Sequence, residues 1–169
     1  MRALFTGGKV DTGFNGDFGE GSSGLPDAWR ISDPVSGDVL WDPAVGHTRP
    51  GSVVVRHPGS DSTAAELAVT PVVQPTVSGE AFALAAWAQA VGVRAAGTVA
   101  IEWLDQGGLV VDTAVSAPLP ADPTGWQLLT VRSRAPERAA FARVCLRTSG
   151  DGGAVLYDDV VFGPAGVGR

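Results

Sequence analysis

An all-β fold, a two-sheet antiparallel β-sandwich, is the class this sequence predicts, on three observations. Gly 23 and Pro 12 are spread as punctuation through 169 residues. The segments between them are of strand length, and the longer ones alternate apolar with polar or small residues at a period of two. Ten such segments in about 150 residues indicate an all-β sandwich.

In chain order the segments are Ala28–Ile31, Asp38–Trp41, Val53–His57, Glu66–Val77, Glu80–Val91, Thr98–Asp105, Leu109–Ala117, Trp126–Ala135, Ala139–Thr148 and Ala154–Phe162. Turn chemistry separates them: Asp33-Pro34, Arg49-Pro50-Gly51, Pro58-Gly59, Ser78-Gly79, Gln106-Gly107-Gly108, Pro118 to Gly125, and Ser149 to Gly153. Ala81–Ala90 and Ala135–Val144 are alanine-rich and favour helix on propensity alone. Periodicity decides otherwise. Phe82, Leu84, Ala86 and Ala88 alternate with Ala83, Ala85, Trp87 and Gln89, as in a strand buried heavily on both faces. Ala140, Ala142, Val144 and Leu146 alternate with Phe141, Arg143, Cys145 and Arg147, which predicts one apolar and one mostly polar face. Val99, Ile101 and Trp103 do the same against Ala100, Glu102 and Leu104, followed by a hairpin turn at Gln106-Gly107-Gly108.

Composition excludes several functions. Twelve Lys plus Arg against 18 Asp plus Glu give a net charge of −6, and the arginines are scattered, so a nucleic-acid partner is not expected. One cysteine, Cys145, rules out an internal disulfide or a multi-thiolate zinc site. No apolar run is long enough to span a membrane. Met1 to Lys9 is too short and broken for a secretory leader, so a secreted protein would be represented here by a mature fragment. His47 and His57 lack any metal-ligand spacing and read as surface groups. Gly19-Glu20-Gly21-Ser22-Ser23-Gly24 matches the letters of a dinucleotide fingerprint, but no strand precedes it and no helix follows. Asp158 and Asp159, adjacent on a strand, should point to opposite faces and so cannot pair as acid and base. No catalytic constellation can be assembled, and the chain is not expected to be an enzyme.

Several motifs in order carry a family resemblance. Asn15-Gly16-Asp17-Phe18-Gly19-Glu20-Gly21 and Leu25-Pro26-Asp27-Ala28-Trp29 stand near the start. Ser78 to Trp87, Gly125-Trp126-Gln127 and Arg134-Ala135-Pro136-Glu137 follow, and Val155-Leu156-Tyr157-Asp158-Asp159-Val160-Val161-Phe162 closes the chain. Together these resemble the β-jelly-roll carbohydrate-binding modules of the family 4, 9 and 22 type, within the galactose-binding-like fold. The resemblance covers residues 13–163, leaving an N-terminal arm at 1–12 and a glycine-rich, mobile tail at 164–169. It implies that the first and last segments meet, often around a structural calcium ion. Glu20 and Asp158 are the carboxylates it carries over, with carbonyls from the Lys9–Asn15 stretch and from Asp158. The family usually places an acidic residue where this chain has Gly19, and Glu20 comes one residue late. Either the turn shifts by one or the calcium site is weakened or absent.

The function the resemblance implies is non-catalytic binding of a poly- or oligosaccharide in a shallow cleft on one sheet, outside the cell or on a particle surface. An appended catalytic domain or a larger particle would be the physical partner. Trp29, Trp103 and Trp126 fit packing positions, whereas Trp87, opposite the Phe82–Ala86 face, and Trp41, in the least family-like region, are the candidates for stacking on sugar rings. Glu102, Arg56 and Arg143, with Arg147, are the candidate polar partners for sugar hydroxyls. The alternative is a structural or adhesion β-sandwich domain of a bacterial surface or phage particle with no glycan ligand, which the flat Ala83–Ala85 surface would suit.

Overall fold

The computed structural model describes residues 15–31, 38–57, 65–69, 74–92, 95–120, 124–149 and 153–165. Thirteen strands and no helix occur among them. β1 (Gly21–Ser22) and β2 (Leu25–Pro26) form a small hairpin. β3 (Trp29–Ile31), β6 (Ala65–Val69), β7 (Gln74–Pro75), β9 (Ala96–Leu104), β10 (Val110–Val115) and β12 (Phe141–Ser149) make one six-stranded sheet. Its order is β10-β9-β12-β6-β3, with β7 on the start of β12. β4 (Asp38–Asp42), β5 (Ser52–Arg56), β8 (Ala81–Val91), β11 (Gln127–Arg134) and β13 (Ala154–Pro164) make a five-stranded sheet ordered β11-β8-β13-β5-β4. Every pairing is antiparallel.

The predicted sandwich is the observed one, and the alanine-rich stretches are strands. β8 is extended throughout, whereas the second stretch is strand only from Phe141, because 135–140 forms a turn closed by the Ala139 N–H on the Pro136 carbonyl. The β1–β2 hairpin escaped the sequence pattern, since two-residue strands carry no periodicity. The segment predicted as Glu66–Val77 contains two separate strands, β6 and β7. β13 runs past residue 163, and the Ala165 N–H donates to the Ala81 carbonyl.

The core lies between the sheets and is built from alternate residues of the central strands. Phe82, Leu84, Ala86 and Ala88 of β8 and Val53 and Val55 of β5 meet Val99, Ile101 and Trp103 of β9 and Ala142, Val144 and Leu146 of β12. Phe82 sits at the centre, edge-on to Trp103 and stacked on Phe162 at 5.4 Å between ring centroids. A fully buried side chain of this size contributes about 1.5–3 kcal/mol through the apolar surface it removes from water. Tyr157 ties the two sheets together: its buried hydroxyl, within reach of the Thr98 carbonyl at 3.3 Å and that of Arg147, crosses from β13 to the opposite sheet. Burial pushes its phenol far above the ordinary range, so it stays a donor.

β13 departs from strict alternation in one place, and this shapes the site. Its core residues are Val155, Tyr157, Val160 and Phe162, so two consecutive residues, 158 and 159, miss the core. The register against β8 shifts between Asp158 and Val161, and Asp159 takes a left-handed φ of 48°. This is a β-bulge. Beside it the opening segment docks on the closing one, with the Val160 N–H donating to the Gly16 carbonyl at 2.7 Å.

Candidate functional site

The outer face of the six-stranded sheet is laid out in cross-strand rows. Val115, Ala100, Cys145, Ala68 and Arg30 stand opposite one another across β10, β9, β12, β6 and β3. On one side runs the row Thr113, Glu102, Arg143, and on the other Thr98, Arg147, Glu66. Arg143 and Arg147 flank Cys145 at two residues on either side, so all three share this face.

Glu102 joins the rows. Its Oε2 accepts from Arg143 Nε at 2.8 Å and from Arg143 Nη2, and its Oε1 accepts from Arg147 Nη2 at 2.6 Å. The carboxylate is buried, with 7% of its side chain exposed, while Arg143 and Arg147 keep 23% and 22%. Ala100 and Cys145 beneath the triad are fully buried and form a small cluster separate from the main core. Cys145 is thus a small buried group, as its sequence context predicts. Two guanidinium planes are held by one buried carboxylate, a charge-assisted arrangement that fixes their orientation.

A second polar cluster lies on the outer face of the five-stranded sheet. The β4–β5 loop folds back over Trp87, and the His47 ring stacks on that indole at 4.0 Å, with Trp126 edge-on at 5.8 Å. His47 Nδ1 lies 2.8 Å from Asp159 Oδ2, which makes Nδ1 the protonated nitrogen, and the Thr48 hydroxyl donates to the same oxygen. The His47 backbone N–H donates to Asp158 Oδ2 at 2.6 Å, and the Asp159 N–H to Asp158 Oδ1 at 2.6 Å. Burial pushes the Asp158 carboxyl up to about 6, against the opposing pull of those two amides.

This cluster corrects three expectations. Asp158 and Asp159 do not point to opposite faces: the bulge turns both toward the loop that carries His47. His47 is half-buried and engaged, and His57 is buried, so neither is a surface group. Trp126 packs against His47 and is half-buried outside the core, whereas Trp29 and Trp103 are core residues as expected. A strand parity rule cannot foresee a bulge, and nothing local marks the loop that returns over Trp87.

The residues singled out for sugar contact do not converge. Glu102 and Arg143 meet on the six-stranded sheet. Trp87 lies on the outside of the opposite sheet beneath His47, and Arg56 alternates with the core residue Val55 on that same sheet. Trp41 stands on β4, half-buried, its indole N–H donating to the Phe18 carbonyl at 2.8 Å. Its ring packs so closely over Gly21 that a Cβ there would sit 2.5 Å from the indole. Arg147, the second cation of the triad, has a sequence signal: it repeats the position of Arg143 four residues later on the same polar face.

For calcium, the described donors do not make up a site by themselves. Asp158 spends both oxygens on backbone amides. Glu20 is exposed, and among the described residues no three His, Cys, Asp or Glu side chains converge. The carbonyls of 9–14 lie outside the described residues.

Two antiparallel sheets, with a closing strand docked on the opening segment, define the class: the chain has the two-layer jelly-roll β-sandwich fold. Among solved structures it is similar to the CBM22-1 xylan-binding domain from Paenibacillus barcinonensis Xyn10C, with 16% identity, 90% of this chain and 93% of that one covered, and a TM-score of 0.63. It is similar also to a CBM4 structure, at 19% identity, 89% and 97% coverage and a TM-score of 0.56. A third likeness is to the enzymatically active domain of Bacteriophage CBA120 tailspike protein 4, at 21% identity and a TM-score of 0.66; it takes in 89% of this chain but 21% of that one. No family model matches the sequence, and no curated protein does.

Proposed function

We propose that the chain is a non-catalytic carbohydrate-binding module that takes a poly- or oligosaccharide on the outer face of its six-stranded sheet. The observation that carries this reading is the Arg143–Glu102–Arg147 triad: fixed, partly exposed hydrogen-bonding groups on the flat of a jelly-roll sheet, where a chain of sugar rings can lie across the strands. The fold supports it, because near-full-length structural neighbours are carbohydrate-binding modules, one of them named as xylan-binding. Arg143 and Arg147 are the contacts assigned to the ligand, with Glu102 between them as the group that orients both. Trp41, Trp87 and Arg56 are given no part in it because of where they stand. Binding of this kind places the protein outside the cell or on a particle and is weak for a single module, so tethering to a partner domain would raise its avidity.

Affinity gels cast with soluble polysaccharides, xylans and β-glucans among them, test the assignment. Retention is expected, and Arg143→Ala is expected to abolish it while far-UV circular dichroism stays that of the parent. No retention on any polysaccharide, together with assembly onto a particle, would move the assignment to an adhesion domain.

The resemblance to calcium-bearing modules is tested separately, by adding calcium to chelator-treated protein. If carbonyls of the 9–15 stretch complete a site with Glu20 and Asp158, the melting temperature rises with calcium concentration by mass action. A melting temperature indifferent to calcium retires the ion.

A further inference from the structure

The charge of the six-stranded face, and the scarcity of aromatic surface on it, deepen this assignment. Among the described strand residues, the register assigns to that face the positions of Arg30, Arg143 and Arg147 and those of Glu66 and Glu102, an excess of 3 − 2 = +1, on a chain whose net charge is −6. An uncharged pyranose is held chiefly by stacking its C–H face on an aromatic ring. Among the described residues, the strands of this face offer one aromatic outward, Phe141, two residues from Arg143. What the face offers instead is guanidinium planes. Arg143 and Arg147 are each about one-fifth exposed, and Glu102 below them is nearly closed off from solvent. A guanidinium fork matches the two oxygens of a carboxylate, and such charge-assisted pairs are roughly twice as strong as neutral hydrogen bonds.

We propose that this face selects acidic glycans, polysaccharides carrying uronic acid carboxylates, and that a uronate carboxylate docks on the guanidinium pair Arg143 and Arg147, which Glu102 holds in place. This rests on the glycan-binding assignment above and names its substrate class. Glu102 is a positioning residue in this scheme. Its carboxylate also keeps the two cations from repelling each other when no ligand is present.

The test compares each polymer with its own neutralised form at low salt. The pairs are polygalacturonate with its methyl ester, and glucuronoxylan with the same polymer after its carboxyls are reduced to alcohols. Calorimetry is expected to show at least one acidic form binding about tenfold tighter than its neutral partner, the size of one hydrogen bond to a charged group. The preference should shrink as salt screens the charges. Arg147→Gln should lose about tenfold more affinity for the acidic form than for its neutral partner, and Arg147→Lys, which keeps the charge without the fork, should lose part of that difference. Arg132→Gln removes the same charge from the exposed side of β11 in the opposite sheet and should change nothing. Equal affinity for acidic and neutral forms overturns charge selection and leaves glycan binding standing. Equal losses in the Arg147→Gln and Arg132→Gln variants overturn the site, and no binding to any polysaccharide overturns both assignments.

Discussion

Glu102→Ala is expected to lower the free energy of unfolding by about 3 kcal/mol, since removing one member of a buried ionic group is strongly destabilising. Glu102 is the common acceptor of two arginines and is nearly buried, so its loss takes from both guanidiniums the carboxylate they share. For a domain of this length each kcal/mol moves the melting temperature by about 2–4 °C, which places the expected drop at about 6–12 °C. Both arginines keep some solvent contact, and this holds the figure at the low end of what buried ion pairs cost. The triple variant Glu102→Leu, Arg143→Met and Arg147→Met should recover most of the loss, because a desolvated charge triad and a packed apolar one are close in energy. Chemical denaturation settles the matter. A Glu102→Ala protein within about 0.5 kcal/mol of the parent would place the triad among surface ion pairs of little consequence.

The second large effect is a dependence of stability on pH set by Asp158. Burial raises its folded-state value from 3.8 to about 6, with the amides of His47 and Asp159 pulling the other way. Between those two values the folded protein holds a proton that the unfolded chain has released. Stability from this group is therefore complete below the unfolded value and declines as pH rises through about 6. The decline amounts to about 3 kcal/mol. Asp158→Asn removes the titration but places an amide NH2 against a backbone N–H that had an acceptor, at a cost of about 1–3 kcal/mol. The gap between parent and variant should thus be widest near pH 4 and should narrow toward pH 7. Parallel stability curves for the two proteins over that range would show that Asp158 does not titrate there.

The sheets were legible in the sequence wherever a strand is long and central. Phe82, Leu84 and Ala86 against Ala83, Ala85 and Trp87, or Val99, Ile101 and Trp103 against Ala100 and Glu102, repeat every second residue, and a pleated strand must send such residues to opposite sides. That parity set Glu102 on the polar side of one strand and Arg143, Cys145 and Arg147 together on the polar side of another. It also failed where it had to. At Asp158–Asp159 a bulge inserts a residue, and the rule that adjacent side chains diverge no longer holds.

Sequence alone determined the two-layer architecture, most of the core and the membership of each face of the regular strands, because these follow from alternation within a single strand. Which faces lie side by side was decided only by tertiary structure. The pairing of β9 with β12 sets Glu102 opposite Arg143, and the choice of sheet for β8 puts Trp87 on the far side of the molecule from both. Register and sheet order depend on contacts between residues dozens of positions apart. Local propensity carries no trace of them, and so the candidate residues were visible one by one while the site they form was not.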